Sequence, residues 1–84
     1  MHDVHAANAI LKIVLDEVKK NNLKKVNIIT IELGSIIEHG EEINSLNLKF
    51  NLRLLAKNTP AEEARIEIKK TTGPTWKLVS IDGE

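Results

Sequence analysis

The stretch Gly40-Glu41-Glu42-Ile43-Asn44-Ser45-Leu46-Asn47-Leu48-Lys49-Phe50-Asn51-Leu52-Arg53-Leu54-Leu55-Ala56-Lys57-Asn58 decides the fold, because its two readings build different molecules. Leu46, Leu48, Phe50, Leu52 and Leu54 alternate with Asn47, Lys49, Asn51 and Arg53, which is the period of a half-buried strand. The residue types argue the other way. Leucine is not β-branched, and Leu55-Ala56-Lys57 continues the run with good helix formers. Drawn as a helix, Ile43, Leu46, Phe50 and Leu54 form one apolar stripe, while Leu48, Leu52 and Leu55 form another on nearly the opposite side. A helix of that kind has two faces to bury, one on a sheet and the other on a first helix or a second subunit. Periodicity alone leaves strand and helix both open.

The flanking segments are less ambiguous. From Asp3 to about Asn21, the residues Val4, Ala7, Ile10, Leu11, Val14, Leu15 and Val18 follow the spacing of one helical face. Asp3 is a competent N-cap, Lys19 and Lys20 suit the C-terminal end of the helix dipole, and Asn21-Asn22 can stop the helix. Residues 25–33, Lys-Val-Asn-Ile-Ile-Thr-Ile-Glu-Leu, are rich in β-branched side chains and end at Gly34, as a strand does. Its better-buried face is Ile29, Ile31 and Leu33; Val26, Ile28, Thr30 and Glu32 share the other. Beyond the Thr59-Pro60 break, residues 64–70 alternate as a strand with Ala64, Ile66 and Ile68 inward. Gly73-Pro74 signals a turn, and residues 76–81 read as a returning strand, so these two strands are expected to pair as an antiparallel hairpin. Trp76 would flank the turn and cover the sheet edge.

Eighty-four residues make a single domain, 1–84, with a small core, which favours oligomerisation and makes a homodimer possible. The chain has no cysteine, so thiol catalysis, disulfides and cysteine-ligated zinc are excluded. Twelve basic and twelve acidic residues cancel, and one Phe with one Trp gives no stacking platform, so no nucleic acid and no membrane partner is expected. Asp3 stands where a signal peptide would be basic, and no apolar run reaches the length of a membrane span, which points to a cytoplasmic protein. No triad, phosphate loop or nucleotide motif is present, so the chain does not read as an enzyme. His39 beside Glu38, Glu41 and Glu42 reads as a solvated turn, with Glu41 and Glu42 favouring the N-terminus of a helix over 40–58.

One short segment carries candidate chemistry. The α-amine of Met1, the backbone nitrogen of His2 and the His2 ring can close fused chelate rings around one cation with no folded pocket. A free amine titrates near pH ~8 and an imidazole near ~6.5, so both are partly deprotonated at neutral pH, as ligation requires. A planar nitrogen set favours Ni(II) or Cu(II) over zinc or magnesium. The fourth donor is open between the Asp3 amide, the Asp3 carboxylate and His5, which would share a helical face with His2. The bulk of His2 disfavours removal of Met1. The plain alternatives are a solvated terminus and a purely capping Asp3.

Several stretches taken together resemble the HypA/HybF family of nickel metallochaperones, whose members begin Met-His-Glu. They are Met1-His2-Asp3, His5-Ala6-Ala7-Asn8-Ala9-Ile10, Ile31-Glu32-Leu33-Gly34, Ser45-Leu46-Asn47-Leu48-Lys49-Phe50, Thr59-Pro60-Ala61-Glu62-Glu63-Ala64 and Ser80-Ile81-Asp82. The resemblance implies an α+β fold, two helices packed on a three-stranded sheet in the order α-β-α-β-β, and therefore a helix at 40–58. It also implies Ni(II) held by the Met1 amine, the His2 imidazole and the amide of Asp3, with delivery to a nickel-enzyme maturation partner such as a GTPase or a hydrogenase large subunit. Family members carry a zinc lobe with two CxxC motifs between the second and third strands. Here Lys70-Thr71-Thr72-Gly73-Pro74-Thr75 stands in its place, so no zinc is expected. The competing reading is a non-enzymatic interaction module, a homodimer or complex subunit, that keeps the scaffold without metal delivery.

Overall fold

The computed structural model describes the backbone of residues 2–35, 37–38 and 41–84, and the side chains of residues 4–35 and 42–84. Helix α1 (His2–Lys20) is followed by strand β1 (Val26–Leu33), a short ribbon of β2 (Ile37–Glu38) and β3 (Glu41–Glu42), helix α2 (Ser45–Leu55), and strands β4 (Arg65–Lys70) and β5 (Trp76–Gly83). The expected α-β-α-β-β order is present, with the ribbon added to it.

The stripe read on α1 is the one that is buried: Ala7, Ile10, Leu11, Val14 and Val18 all enter the core. Because the helix already includes His2, Asp3 lies within its first turn and does not precede it as the cap. The C-terminus stops as the asparagines suggested. Asn22 adopts φ 53°, and the N–H groups of Leu23 and Asn22 donate to the carbonyls of Val18 (3.0 Å) and Lys19 (3.4 Å). That is a Schellman closure with asparagine in the left-handed position usually held by glycine.

Residues 40–58 resolve into a helix shorter than the span expected, Ser45–Leu55. Its start is fixed by Asn44, whose Oδ1 accepts from the N–H groups of Leu46 (2.8 Å) and Asn47 (3.2 Å). Glu41 and Glu42 belong to β3 and pair with β2, so they are not first-turn helix residues. The Glu42 carboxylate instead meets the Lys70 ammonium at 3.4 Å, tying the ribbon to the end of β4. The two stripes of α2 part company. Leu48 and Leu52 are buried but Leu55 of the same stripe is exposed; Leu46, Phe50 and Leu54 face outward while Ile43, ahead of the helix, is buried, and Ala56 joins the inner side. Asn51 is also buried, and its Nδ2 donates to the Asn47 carbonyl at 2.9 Å, so its amide does not stay unpaired.

The three-stranded sheet runs β4-β1-β5, with β1 central. β1 pairs parallel with β4 and antiparallel with β5. The expected β4–β5 hairpin is therefore absent: the two strands flank β1 from opposite sides. A parallel β1–β4 pair needs a crossover, and α2 supplies it. The chain then leaves β4 at Lys70, passes over the end of β1 and enters β5 at Trp76; both of these residues pair with Leu33. Three backbone bonds seat this crossing: Gly34 N–H to the Thr75 carbonyl (2.9 Å), Ser35 N–H to Gly73 (2.8 Å) and Thr71 N–H to Leu33 (3.0 Å). A Cβ on Gly34 would overlap the Gly73 carbonyl oxygen and stand 2.7 Å from that of Thr75. Gly73 itself has φ 115°, which only glycine adopts without strain.

One side of the sheet meets the helices. Ile29, Ile31, Leu33 and Ile66 are buried there as read from the sequence, with Ala64 just before β4. Val26 is buried as well, contrary to the alternation. The register against β5 slips between Val26 and Ile28, leaving Asn27 as an extra residue that turns Val26 to the core face. A second slip leaves Val79 over, which keeps Leu78 and Ile81 on the same side of β5.

Candidate metal centre

The candidate ligands sit at the start of α1. Met1 and the side chains of His2 and Asp3 lie outside the described residues; the backbone of His2 and Asp3 forms the first turn of the helix. The sequence folds this way because the apolar stripe of α1 begins close behind, with Ala6 and Ala7 already buried. The helix is thereby docked against the core from Ala6 onward.

His5, the supplementary candidate, is exposed and stands about one helical turn beyond His2. It lines a cleft of about 280 Å³ together with Ala6, Ala9, Ile43, Pro74, Thr75 and Trp76. The start of α1 thus opens onto the residues that cross over β1 and onto the residue just ahead of the α2 cap. Trp76 is half-buried and packs against the core. It also contributes to a second cleft, of about 580 Å³, between β5 and the α1 residues Ile13, Glu17 and Asn21.

Among the described residues no group of three or more His, Cys, Asp or Glu converges so as to hold a metal ion. His39 lies outside the described residues, so the turn reading of His39 with Glu38 and Glu41 is judged on backbone alone, where Glu38 and Glu41 pair across the ribbon. Sequence reasoning missed this ribbon and the Asn44 cap. The signal for the cap was present in Asn44-Ser45 ahead of the leucine run. Among the described residues, no helix is long and apolar enough to cross a membrane.

Comparison with known proteins bears on residues 1–76, which match the family described as "Hydrogenase/urease nickel incorporation, metallochaperone, hypA". The hydrogenase maturation factor HypA of Polaromonas naphthalenivorans is 32% identical over 76 residues, covering 90% of this chain and 63% of that protein. HypA of Methanobrevibacter smithii is 34% identical over 70 residues, covering 83% of this chain and 53% of that protein. The chain thus spans less than two thirds of the length of these curated relatives. The solution structure of the Ni metallochaperone HypA from Helicobacter pylori superposes with a TM-score of 0.80 over 96% of both chains, at 9% identity, which establishes the shared fold. With its matched region running from Met1 through the start of β5, the chain belongs to the HypA family of nickel-incorporation metallochaperones.

Proposed function

We propose that residues 1–84 form a single nickel-binding unit that holds Ni(II) as cargo at Met1, His2 and Asp3 and passes it to a cytoplasmic partner maturing a nickel enzyme. The α-amine of Met1, the ring nitrogen of His2 and the backbone amides of His2 and Asp3 make an all-nitrogen set of the kind a square-planar ion accepts. The observation that carries the reading is that the family match opens at residue 1, so the donors fall inside the related region. Burial of Ala6 and Ala7, one turn further on, fixes the helix that presents these donors. Release requires an accessible site that protons can compete for, and a terminal amine with an imidazole meets both conditions. The sequence has no cysteine, so the carrier works without a cysteine-bound zinc in this chain. Titration of Ni(II) into protein that begins at Met1 tests the reading: a planar nitrogen absorption band supports it, and an octahedral spectrum overturns it.

A second reading has its own observation. The outward row Leu46, Phe50 and Leu54 is what an interaction module would display, whether toward a second copy or within a larger complex. Under that reading the scaffold binds a protein and delivers no metal. Loss of nickel binding with retained partner binding would favour it.

A further inference from the structure

We propose that the outer face of α2 docks a helical segment of another protein, one that presents an apolar ridge bordered by carboxylates. Leu46, Phe50 and Leu54 are 73%, 62% and 45% exposed. They recur every fourth residue of one helix, so they form a continuous row rather than scattered apolar positions. Three large side chains so exposed present roughly 300 Å² of apolar surface, the low end of the largest patch on an ordinary monomer, so it is the charge beside the row that singles it out. The core does not require them, because Leu48, Leu52 and Ala56 already anchor the helix from the opposite side.

The charge beside this row specifies the partner. Lys49, Arg53 and Lys57 each follow a member of the row by three residues and run alongside it. No Asp or Glu occurs between Glu42 and Glu62 in a chain whose formal net charge is zero. Elsewhere Lys20, Lys25, Arg65 and Lys70 each have a carboxylate at hand, while Lys12, Lys19, Lys24, Lys69 and Lys77 have none among the described residues. Among the described residues the three cations of this segment also have none. A complementary surface therefore offers apolar side chains at helical spacing with Glu or Asp along one border.

A second copy fits poorly. Pairing α2 with α2 about a two-fold axis gives the cations no carboxylate in either direction, since α2 contains none. The row alone also falls well below the roughly 800 Å² that a stable dimer buries on each partner. A lipid surface fits poorly too. Helices that lie on membranes carry a broad apolar face and a polar face rich in Lys and Arg, whereas α2 itself holds only Lys49 and Arg53 beside a narrow apolar row.

The test uses metal-free protein, so its failure leaves the nickel reading untouched. A labelled helix-forming peptide with a leucine ridge bordered by glutamates is compared with a twin carrying lysines instead. The acidic peptide should bind, shift amide resonances over 45–57, and weaken on addition of salt. Phe50→Ser should lower its affinity roughly tenfold or more, with circular dichroism unchanged. The double variant K49E/R53E should reverse the preference between the two peptides. Equal binding of both peptides, or shifts centred outside α2, overturns the proposal. So does a concentration-dependent dimer with α2 amides protected from exchange, or tighter binding to phosphatidylserine vesicles than to the acidic peptide.

Discussion

The backbone N–H of Gly34 donates to the carbonyl oxygen of Thr75 across 2.9 Å, which lays the connection between β4 and β5 directly on the end of β1. The contact leaves no room for a side chain at Gly34. Gly34→Ala should therefore cost about 1–3 kcal/mol, as overpacking against backbone does, read as a lower urea midpoint. Ser35→Ala, at an exposed neighbour that keeps its N–H bond to Gly73, should stay within about 0.5 kcal/mol of the parent. Equal losses at the two positions would remove the steric explanation.

The opposed rows of α2 should respond very differently to truncation. Leu52→Ala opens a cavity beneath a side chain that is 1% exposed and should cost about 2–5 kcal/mol. Leu46→Ala removes a side chain that is 73% exposed and should change stability by no more than about 0.5 kcal/mol. Chemical denaturation of the two variants measures the contrast. A large loss for Leu46→Ala would mean that the outer row is covered in solution.

The start of α2 rests on Asn44, which caps two N–H groups. Asn44→Ala should cost about 0.5–2 kcal/mol, and Asn44→Asp or Asn44→Ser should recover most of it. Failure of both replacements to recover stability would count against the capping role.

Nickel binding should depend on the chain terminus. His2→Ala, or one residue added ahead of Met1, should abolish the planar Ni(II) band while leaving circular dichroism unchanged. Persistence of the band in either variant would place the donors elsewhere. The sign of the pH dependence follows from the ligands: amine and imidazole must both lose protons to bind. Affinity should therefore be highest above pH ~8 and fall through ~6.5 as protons displace the ion. A spectrum constant from pH 8 to 6 would argue for carboxylate ligation.

What could be read from the sequence follows a physical line between local and distant interactions. Ala7, Ile10, Leu11, Val14 and Val18 announced the buried face of α1, and Ile29, Ile31 and Leu33 that of β1, because a periodic stripe is a property of consecutive residues. Val26 escaped because the slip at Asn27 is set by β5, far along the chain. The partner of β4 escaped for the same reason. Gly73-Pro74 is a local turn signal, whereas sheet order depends on β1 accepting both neighbours at once. For α2, alternation and residue type disagreed, and the family resemblance decided for the helix; the helix boundary then turned on the Asn44 cap and on Glu41 and Glu42 pairing in the ribbon. The proposed donors Met1, His2 and Asp3 were legible as chemistry, since covalent adjacency is all that such a chelate would use. How the first turn of α1 adjoins Pro74 and Trp76 was not, because that contact joins opposite ends of the chain.

Lys70 and Trp76 stand on either side of the same residue, Leu33, so the strand-to-strand exit and re-entry points are separated by only two inter-strand spacings, about 10 Å. This makes the position a socket. A sizeable insert could be grafted between those two residues, or excised from between them, with no strand changing its neighbours, since residues 71–75 already span the gap unaided. The strand order thus sets only the distance a connection must bridge here, while the bonds of residues 71–75 to Leu33, Gly34 and Ser35 are what hold this particular connection on β1.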